Sequence, residues 1–197
     1  MKFRFGLAAT VFFLAASPAF AHLDSAAHGS FAAGLTHPVF GADHVLAMIA
    51  VGLWAALIGG RAVWVLPTAF VGAMIAGFAL SLAGVALPFV EPVILGSVIV
   101  LGAVVALALR LPLTVSGALV FAFGLCHGHA HGGEIGAADA IGYAGGFVLA
   151  TALLHAAGLL IGHGARTAAR NEPDRAPGIL RALGVVTALG GVFLAAG

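Results

Sequence analysis

Charged side chains are scarce in this chain of 197 residues. Lys, Arg, Asp and Glu make up 8% of it, whereas they account for roughly a quarter of an ordinary soluble domain. Hydrophobic residues make up 62%, and the mean hydropathy is +1.16. So few charges cannot cover a surface that faces water, and the composition therefore predicts a protein embedded in lipid.

Cysteine is nearly absent as well. Cys126 is the single cysteine, which excludes an internal disulfide and a metal cluster held by several thiolates. The formal net charge of +1 provides no basic patch, so no nucleic-acid partner is expected. The sequence also has no G-x-x-x-x-G-K phosphate loop, which argues against ATP hydrolysis by this chain. Histidine is the exception, because nine histidines outnumber the eight Lys and Arg together.

The first 21 residues have the features of a secretory signal peptide. Lys2 and Arg4 precede a short apolar core at Leu7–Ala16, and Ala19-Phe20-Ala21 forms an A-x-A cleavage site. An uncleaved membrane-spanning helix is the alternative, but the core is short and small residues follow it. We therefore expect cleavage, with the mature chain beginning at His22 outside the bacterial inner membrane.

The mature chain contains six apolar segments near the length of about 20 residues that a membrane-spanning helix needs. They lie at about 37–58, 63–86, 90–109, 112–131, 139–163 and 179–197. The predicted fold is an all-α membrane protein, with a signal peptide over 1–21 and one six-helix transporter domain over 22–197. Small residues four apart predict close helix packing, at Gly72-x-x-x-Ala76, Ala73-x-x-x-Gly77 and Gly142-x-x-x-Gly146.

The basic residues orient this bundle in the membrane. If the mature chain begins outside, the first, third and fifth joints between helices face the cytoplasm. All six basic residues of the mature chain lie at or beside these joints: Arg61, Arg110, Arg166, Arg170, Arg175 and Arg181. Positive charge accumulates on the cytoplasmic side of membrane proteins. The pattern thus predicts a multi-pass protein of the inner membrane with both termini in the periplasm.

Two histidines and an aspartate stand at the start of the first predicted helix. On a regular helix, His37 and His44 would share a face but lie about 10 Å apart along the axis. Pro38 and Gly41 permit a kinked or opened turn there, and transporters use broken helices as binding sites. An interfacial histidine with a capping aspartate is the structural alternative. It accounts for His37 better than for Asp43 and His44, which lie deeper in the apolar run.

A second cluster ends the fourth predicted helix. His127, His131 and Glu134 are spaced so that all three can share one helical face, which suits a transition metal held by imidazole and carboxylate. If Gly132-Gly133 ends the helix, Glu134 leaves that face. His129 points elsewhere. A purely structural histidine-rich loop is the alternative.

The topology brings the two clusters to the same side of the membrane. The predicted metal ligands are His37, Asp43, His44, His127, His131 and Glu134. Other groups on that side are candidates for gathering ions at the mouth of the site: His22, His28, His129, Glu91 and Asp139. As the new N-terminus, His22 offers an α-amino group beside its imidazole, whereas His28 fits a solvated tail equally well.

Two further histidines lie deeper along the fifth predicted helix. His155 is about 24 Å below its outer end by helical rise, and His163 follows two turns later. They are candidates for an inward path. The equally weighted alternative is that His155 hydrogen-bonds a carbonyl or a threonine within the bundle. Imidazole and carboxylate without thiolates suit nickel, cobalt, zinc or iron(II) better than copper(I).

The two clusters resemble the paired motifs of the HupE/UreJ family of bacterial nickel/cobalt permeases. The first is His37-Pro38-x-x-Gly41-x-Asp43-His44-x-Leu46-Ala47-Met48-x-x-Val51-Gly52, and the second is His127-Gly128-x-Ala130-x-x-x-Glu134. The signal peptide, the histidine that follows it and the six helices also match.

This resemblance implies secondary uptake of nickel, or of cobalt, that supplies hydrogenase or urease maturation proteins. It implies importance for transport at His37, Asp43, His44, His127 and Glu134. The family's second motif usually has an aromatic residue before its histidine. Cys126 stands there in this chain, and this departure bears on metal preference.

The leading hypothesis is a permease, not an enzyme, with Ni²⁺ as the transported ion and Co²⁺ as the next candidate. One alternative is an intramembrane metal-dependent hydrolase with Glu134 as general base, and another is uptake of zinc or iron(II). The histidines that continue inward argue against the hydrolase. A sensor or an anchor for a maturation partner is a weaker third option, because the predicted cytoplasmic surface is small.

Overall fold

The structure is a computed structural model that describes residues 30–168 and 175–197. Every regular element within these ranges is an α-helix. The predicted signal peptide lies outside the described residues, as do His22 and His28. The seven helices in the described part of the chain are α1 (Ser30–Phe40), α2 (Ala42–Ile58), α3 (Ala62–Leu82), α4 (Val90–Ala106), α5 (Leu113–Gly133), α6 (Ala140–Ala168) and α7 (Arg175–Ala196).

Four of these helices, α3, α5, α6 and α7, are each long and apolar enough to cross a membrane. Helices α1 and α2 qualify together as a fifth span that is bent by 81°. The 17 residues of α4 rise only about 25 Å, against a hydrocarbon core of about 30 Å. The protein is therefore a multi-pass, all-helical membrane protein, and a sixth span through α4 stays a prediction.

The first predicted helix consists of two pieces. Helix α1 begins at Ser30, seven residues before the predicted start, and the chain turns at Gly41, whose φ of −84° and ψ of 108° are extended. Pro38 has no backbone N–H to donate, so the end of α1 is already weakened. The Gly41 carbonyl still accepts a hydrogen bond from the Val45 N–H at 3.0 Å. The kink that Pro38 and Gly41 permit is thus present as a sharp break.

The second and third predicted helices end earlier than expected. Helix α3 stops at Leu82, where Gly84 adopts a φ of +75° and Pro88 follows. Helix α4 stops at Ala106, and Ala108 has a φ of +53°. A residue in the left-handed backbone conformation commonly ends an α-helix. Both segments stay apolar beyond these residues, so hydropathy alone did not predict where the helices end.

Helix α2 lies at the centre of the bundle. Its residues from Ala47 to Leu57 are buried, except the half-buried Ile49, as expected for a helix that is apolar all round. The Trp54 indole donates to the Leu109 carbonyl at 2.9 Å, and the Arg166 guanidinium donates to the Leu57 carbonyl at 2.8 Å. Helices α1, α3, α4, α6 and α7 pack against it, while α5 packs mainly along α3.

Glycine allows the closest helix contacts. A Cβ on Gly77 of α3 would collide with the Leu125 carbonyl of α5, and a Cβ on Gly146 of α6 would collide with the Phe31 carbonyl of α1. Two of the three predicted small-residue patterns are therefore used for packing. The pattern at Gly72-x-x-x-Ala76 is not, because a Cβ on Gly72 would meet no atom within 4 Å. Periodicity alone did not show which face of α3 is covered.

Among the residues that the structure describes, charges of opposite sign lie at opposite ends of the bundle. Arg61 and Arg110 adjoin the end at which Arg166 reaches the Leu57 carbonyl. Glu134 and Asp139 lie at the other end, where the Asp139 backbone N–H donates to the Ser30 hydroxyl at 2.6 Å. This separation agrees with the orientation expected from the sequence, while the compartment that each end faces stays a prediction.

Candidate metal centre

The six predicted ligand residues come together at the acidic end of the bundle. His37 lies near the end of α1, Asp43 and His44 open α2, His127 and His131 lie on α5, and Glu134 follows α5 directly. The break at Gly41 makes this possible, because it replaces the axial separation of a regular helix with a turn. Both predicted clusters therefore belong to one site.

Four imidazole rings form a continuous row in this site. The ring centroids are 5.1 Å apart for His37 and His131, 4.8 Å for His131 and His44, and 4.7 Å for His44 and His127. Each adjacent pair meets edge to face. The row runs from the partly exposed His37 to His127, which is fully buried.

The outer end of the row has the composition of a metal site. His37, His131 and Glu134 each offer one ligand atom, and these atoms lie within 4.8 Å of one another. Two ligand atoms on one ion with bonds near 2.1 Å are about 3 to 4 Å apart, so a small contraction would enclose an ion.

Glu134 joins the cluster through a hydrogen bond to His37, which its spacing from His127 and His131 did not predict. Helix α5 ends at Gly133, so Glu134 leaves the face of His127 and His131, as considered from the two glycines. Its Oε2 instead lies 2.6 Å from His37 Nε2. This hydrogen bond lowers the pKa of the Glu134 carboxyl below its ordinary value, against the opposing effect of partial burial.

Several buried ring nitrogens in the cluster have no hydrogen-bond partner among the described residues. They are His44 Nε2, His127 Nδ1 and both nitrogens of His131. Leaving a buried polar group unpaired costs free energy, so such groups in a folded protein call for a missing partner. Each of these three rings, when neutral, offers one nitrogen lone pair, and a cation is a partner that would accept it.

Asp43 hydrogen-bonds the His44 ring and orients it. Its Oδ1 lies 3.0 Å from His44 Nδ1 and also accepts the His44 backbone N–H at 2.8 Å. An ionised carboxylate can only accept, so the His44 Nδ1 carries the ring proton and Nε2 keeps its lone pair. This carboxylate–histidine pairing is common around metal ligands, and it gives Asp43 an orienting position beside the predicted ligands.

Two residues of the site were missed from the sequence. Ser97 of α4 contacts His127, with its Oγ 3.0 Å from Nε2, and the Tyr143 ring of α6 lies 6.0 Å from His37 and 6.4 Å from His131. The Tyr143 hydroxyl also lacks a partner in the described structure. Each had a signal, because Ser97 is the lone hydroxyl of apolar α4 and Tyr143 is the single tyrosine.

His155 lies below the cluster, separated from it by one aromatic ring. The Phe70 centroid is 5.4 Å from that of His127 and 5.2 Å from that of His155. His155 is 1% exposed, and neither ring nitrogen has a partner among the described residues. Thr151, a candidate partner, instead points its hydroxyl at Met74 Sδ, 3.6 Å away. The hydrogen-bonded alternative for His155 therefore finds no support, and His163 lies exposed farther along α6.

The described residues that were predicted to gather ions differ in their surroundings. His129 turns away from the row and donates from Nε2 to the Val85 carbonyl at 2.8 Å. Asp139 caps α6 by accepting the Gly142 N–H at 2.7 Å, which gives it a structural task. Glu91 is exposed at the start of α4.

Comparison with known proteins identifies the family. A sequence model described as HupE / UreJ protein matches residues 10–194. The chain belongs to the HupE/UreJ family. Protein HupE of Rhizobium leguminosarum bv. viciae is 46% identical over 144 residues, which cover 73% of this chain and 75% of that protein. No solved structure gives a significant match.

Membership in the HupE/UreJ family confirms the resemblance drawn from the two histidine motifs. Those motifs contain His37, Asp43, His44, His127 and Glu134, and the fold joins all five in one cluster. The family is associated with nickel and cobalt uptake or with accessory functions for hydrogenase and urease.

Proposed function

We propose that this chain is a secondary permease that takes up a divalent transition-metal ion across the bacterial inner membrane. Nickel is the favoured ion and cobalt the next. The observation that carries the proposal is the row of four imidazoles inside an apolar helical bundle, with ring nitrogens that lack hydrogen-bond partners in the described part of the chain. Polar groups at such depth are costly and mark ion pathways.

The cluster suits a hydrated cation that sheds its water in steps. His37 and Glu134 lie at the exposed end, where an arriving ion is still partly hydrated. His131, His44 and His127 are buried and replace the lost water with imidazole nitrogen. Nitrogen and carboxylate donors without thiolates favour nickel, cobalt, zinc or iron(II) over copper(I), and family membership favours nickel and cobalt within that group.

The geometry supports an ion more than an organic substrate. Adjacent rings touch edge to face, with centroids 4.7 to 5.1 Å apart, so the backbone of a peptide or an amide does not fit among them. An ion with bonds near 2.1 Å needs only a small shift of the rings. An intramembrane hydrolase would need space for such a backbone beside its metal. Transport therefore accounts better for this arrangement.

The deeper histidines provide the candidate route inward. His155 lies beyond Phe70, and its ring nitrogens have no hydrogen-bond partner among residues 30–168 and 175–197. His163 lies farther toward the basic end of α6. We assign the ion-gathering role at the mouth to Glu91 and to the predicted N-terminal His22 and His28. His129, whose ring donates to the Val85 carbonyl, and Asp139, which caps a helix, are assigned structural roles instead.

The driving force does not require a nucleotide. A divalent ion moving inward gains about 4.6 kcal/mol for each 100 mV of inside-negative potential, twice the value for a single charge. We propose that the membrane potential drives accumulation and that cytoplasmic maturation proteins of nickel enzymes receive the ion.

The test compares two histidines of the same helix. His131→Ala removes a ring from the row, whereas His129→Ala removes one that faces away from it. We expect His131→Ala to lower radioactive nickel uptake by cells more than about tenfold, since even removing an outer partner of a ligand costs that much. His129→Ala should transport like the parent. Both variants are first checked for equal abundance in the membrane, and parental uptake by His131→Ala would refute the proposal.

The purified protein provides the second measurement. After exposure to an equimolar mixture of nickel, cobalt, zinc and iron(II), elemental analysis ranks the bound metals. Nickel or cobalt should dominate in the parent, and the bound metal should decrease in His131→Ala. Binding of zinc alone would contradict the assigned substrate.

A further inference from the structure

The ring of His127 is held from behind by a serine of another helix. Ser97 of α4 is fully buried, and its Oγ lies 3.0 Å from His127 Nε2 and 2.6 Å from the Ile94 carbonyl oxygen. A carbonyl oxygen can only accept, and at this distance it has to receive the single hydroxyl proton. Ser97 therefore presents a lone pair to His127, and Nε2 carries the proton of the ring.

This arrangement decides which atom of His127 is free. With the proton on Nε2, the lone pair of the neutral ring is on Nδ1, which is buried and has no partner among the described residues. His44 is the mirror case, because Asp43 accepts from its Nδ1 and leaves Nε2 unpaired. The two rings are neighbours, with centroids 4.7 Å apart.

We propose that Ser97 is a positioning residue that fixes His127 as an Nδ1 ligand, so that an ion is held between Nδ1 of His127 and Nε2 of His44. This inference rests on the proposed function and deepens it. It also gives α4 a part in metal binding, although α4 supplies none of the six predicted ligand residues. An outer partner of this kind typically contributes about 10- to 100-fold to metal affinity.

Three serine variants separate positioning from packing. Ser97→Ala removes the acceptor and should weaken nickel binding by the purified protein about 10- to 100-fold, with a matching rise in the KM of uptake. Ser97→Thr keeps a hydroxyl and should restore most of the affinity. Ser116→Ala is the control, because Ser116 is equally buried in α5 and its hydroxyl points to the Leu111 carbonyl, 3.5 Å away.

A spectroscopic measurement tests the assignment without any metal. In the metal-free protein labelled with ¹⁵N-histidine, the nitrogen chemical shifts of His127 report which nitrogen carries the proton, and His127→Gln identifies the signal by its loss. The parent and Ser97→Thr should show the proton on Nε2. Ser97→Ala should show a mixture of the two tautomers.

The outcomes separate the two proposals. A proton on Nδ1 of His127 in the parent would overturn the role of Ser97, whatever the metal data, and so would parental nickel affinity in Ser97→Ala. If the parent shows the Nε2 proton but binds no nickel, the hydrogen bond stands and the permease proposal fails. Since the shift is read in the unmutated protein, poor folding of a variant leaves the tautomer test intact.

Discussion

Carboxylates and imidazoles take different positions in this cluster, although all were candidates for the same role. Asp43 lies behind His44, and Glu134 hydrogen-bonds His37 at the exposed end. An acidic group that accepts the proton of one ring nitrogen makes the other nitrogen a better ligand. The two carboxylates can thus strengthen metal binding whether or not they touch the ion themselves.

Acid should release the metal, and the geometry indicates which groups are responsible. An imidazole binds metal only when neutral, and histidine in water gains its proton near a pH of about 6.5. The hydrogen bond from His37 lowers the pKa of Glu134 below its ordinary value, so this carboxylate stays ionised over the pH range of the test and its protonation does not account for a loss of affinity. Nickel affinity, measured by titration calorimetry from pH of about 7.5 down to 5.5, should fall steadily. An affinity that does not change over this range would contradict imidazole ligation.

Some polar residues of the site could be predicted from the sequence, and others could not. His44, His127 and His131 were conspicuous because ionisable groups are rare in apolar helices. Ser97 donates its hydroxyl proton to the Ile94 carbonyl of its own helix, as many serines in membrane helices do. Its second contact, to His127, depends on how α4 packs against α5, which no local pattern determines.

At the scale of the element, a break between α1 and α2 could be expected from the sequence, but the angle of the bend could not. Pro38 and Gly41 predicted a weak point, whereas the 81° bend and the start of α1 at Ser30 were not foreseen. Helix α1 packs on α6, where Gly146 lets the Phe31 backbone approach closely. That contact is tertiary, so the local sequence before His37 did not predict a helix there.

Two glycines of α3 provide a matched test of helix packing. Gly77→Leu would drive a side chain into the Leu125 backbone of α5, whereas the side chain of Gly72→Leu would project into open space. Overpacking costs about 1 to 3 kcal/mol or more, and the backbone of α5 cannot move aside as a side chain can. We expect Gly77→Leu to lower the Tm of the detergent-solubilised protein clearly and Gly72→Leu to change it little. Similar Tm values for both would show that α3 and α5 are not packed as described.

At the scale of the whole molecule, the short helix α4 is the element on which the topology depends. Its 17 residues extend from the acidic end, at Glu91, to the basic end, where Trp54 bonds the Leu109 carbonyl. The six-span arrangement predicted from the arginines requires α4 to cross despite its length. Bilayers thin locally around a short helix at modest cost.

Reporter fusions decide this point. Alkaline phosphatase, active only outside the inner membrane, is fused after residues 60, 86, 110, 135 and 197. With six spans, the fusions after 86, 135 and 197 should be active and those after 60 and 110 inactive, because the arginines hold the latter joints in the cytoplasm. If α4 does not cross, the fusion after 110 becomes active and the fusions after 135 and 197 become inactive.

The pairing of helices divides the imidazoles into two sets. His127 and His131 are carried by α5, which is packed along α3 through Gly77, while His37 and His44 belong to α1 and α2, which lie against α6. In the proposed permease, sliding α3 and α5 past α1, α2 and α6 by the length of a single coordination bond, about 2 Å, would remove half the nitrogen ligands of a bound ion. Such a rigid-body movement would release the ion without any ring having to rotate or take up a proton.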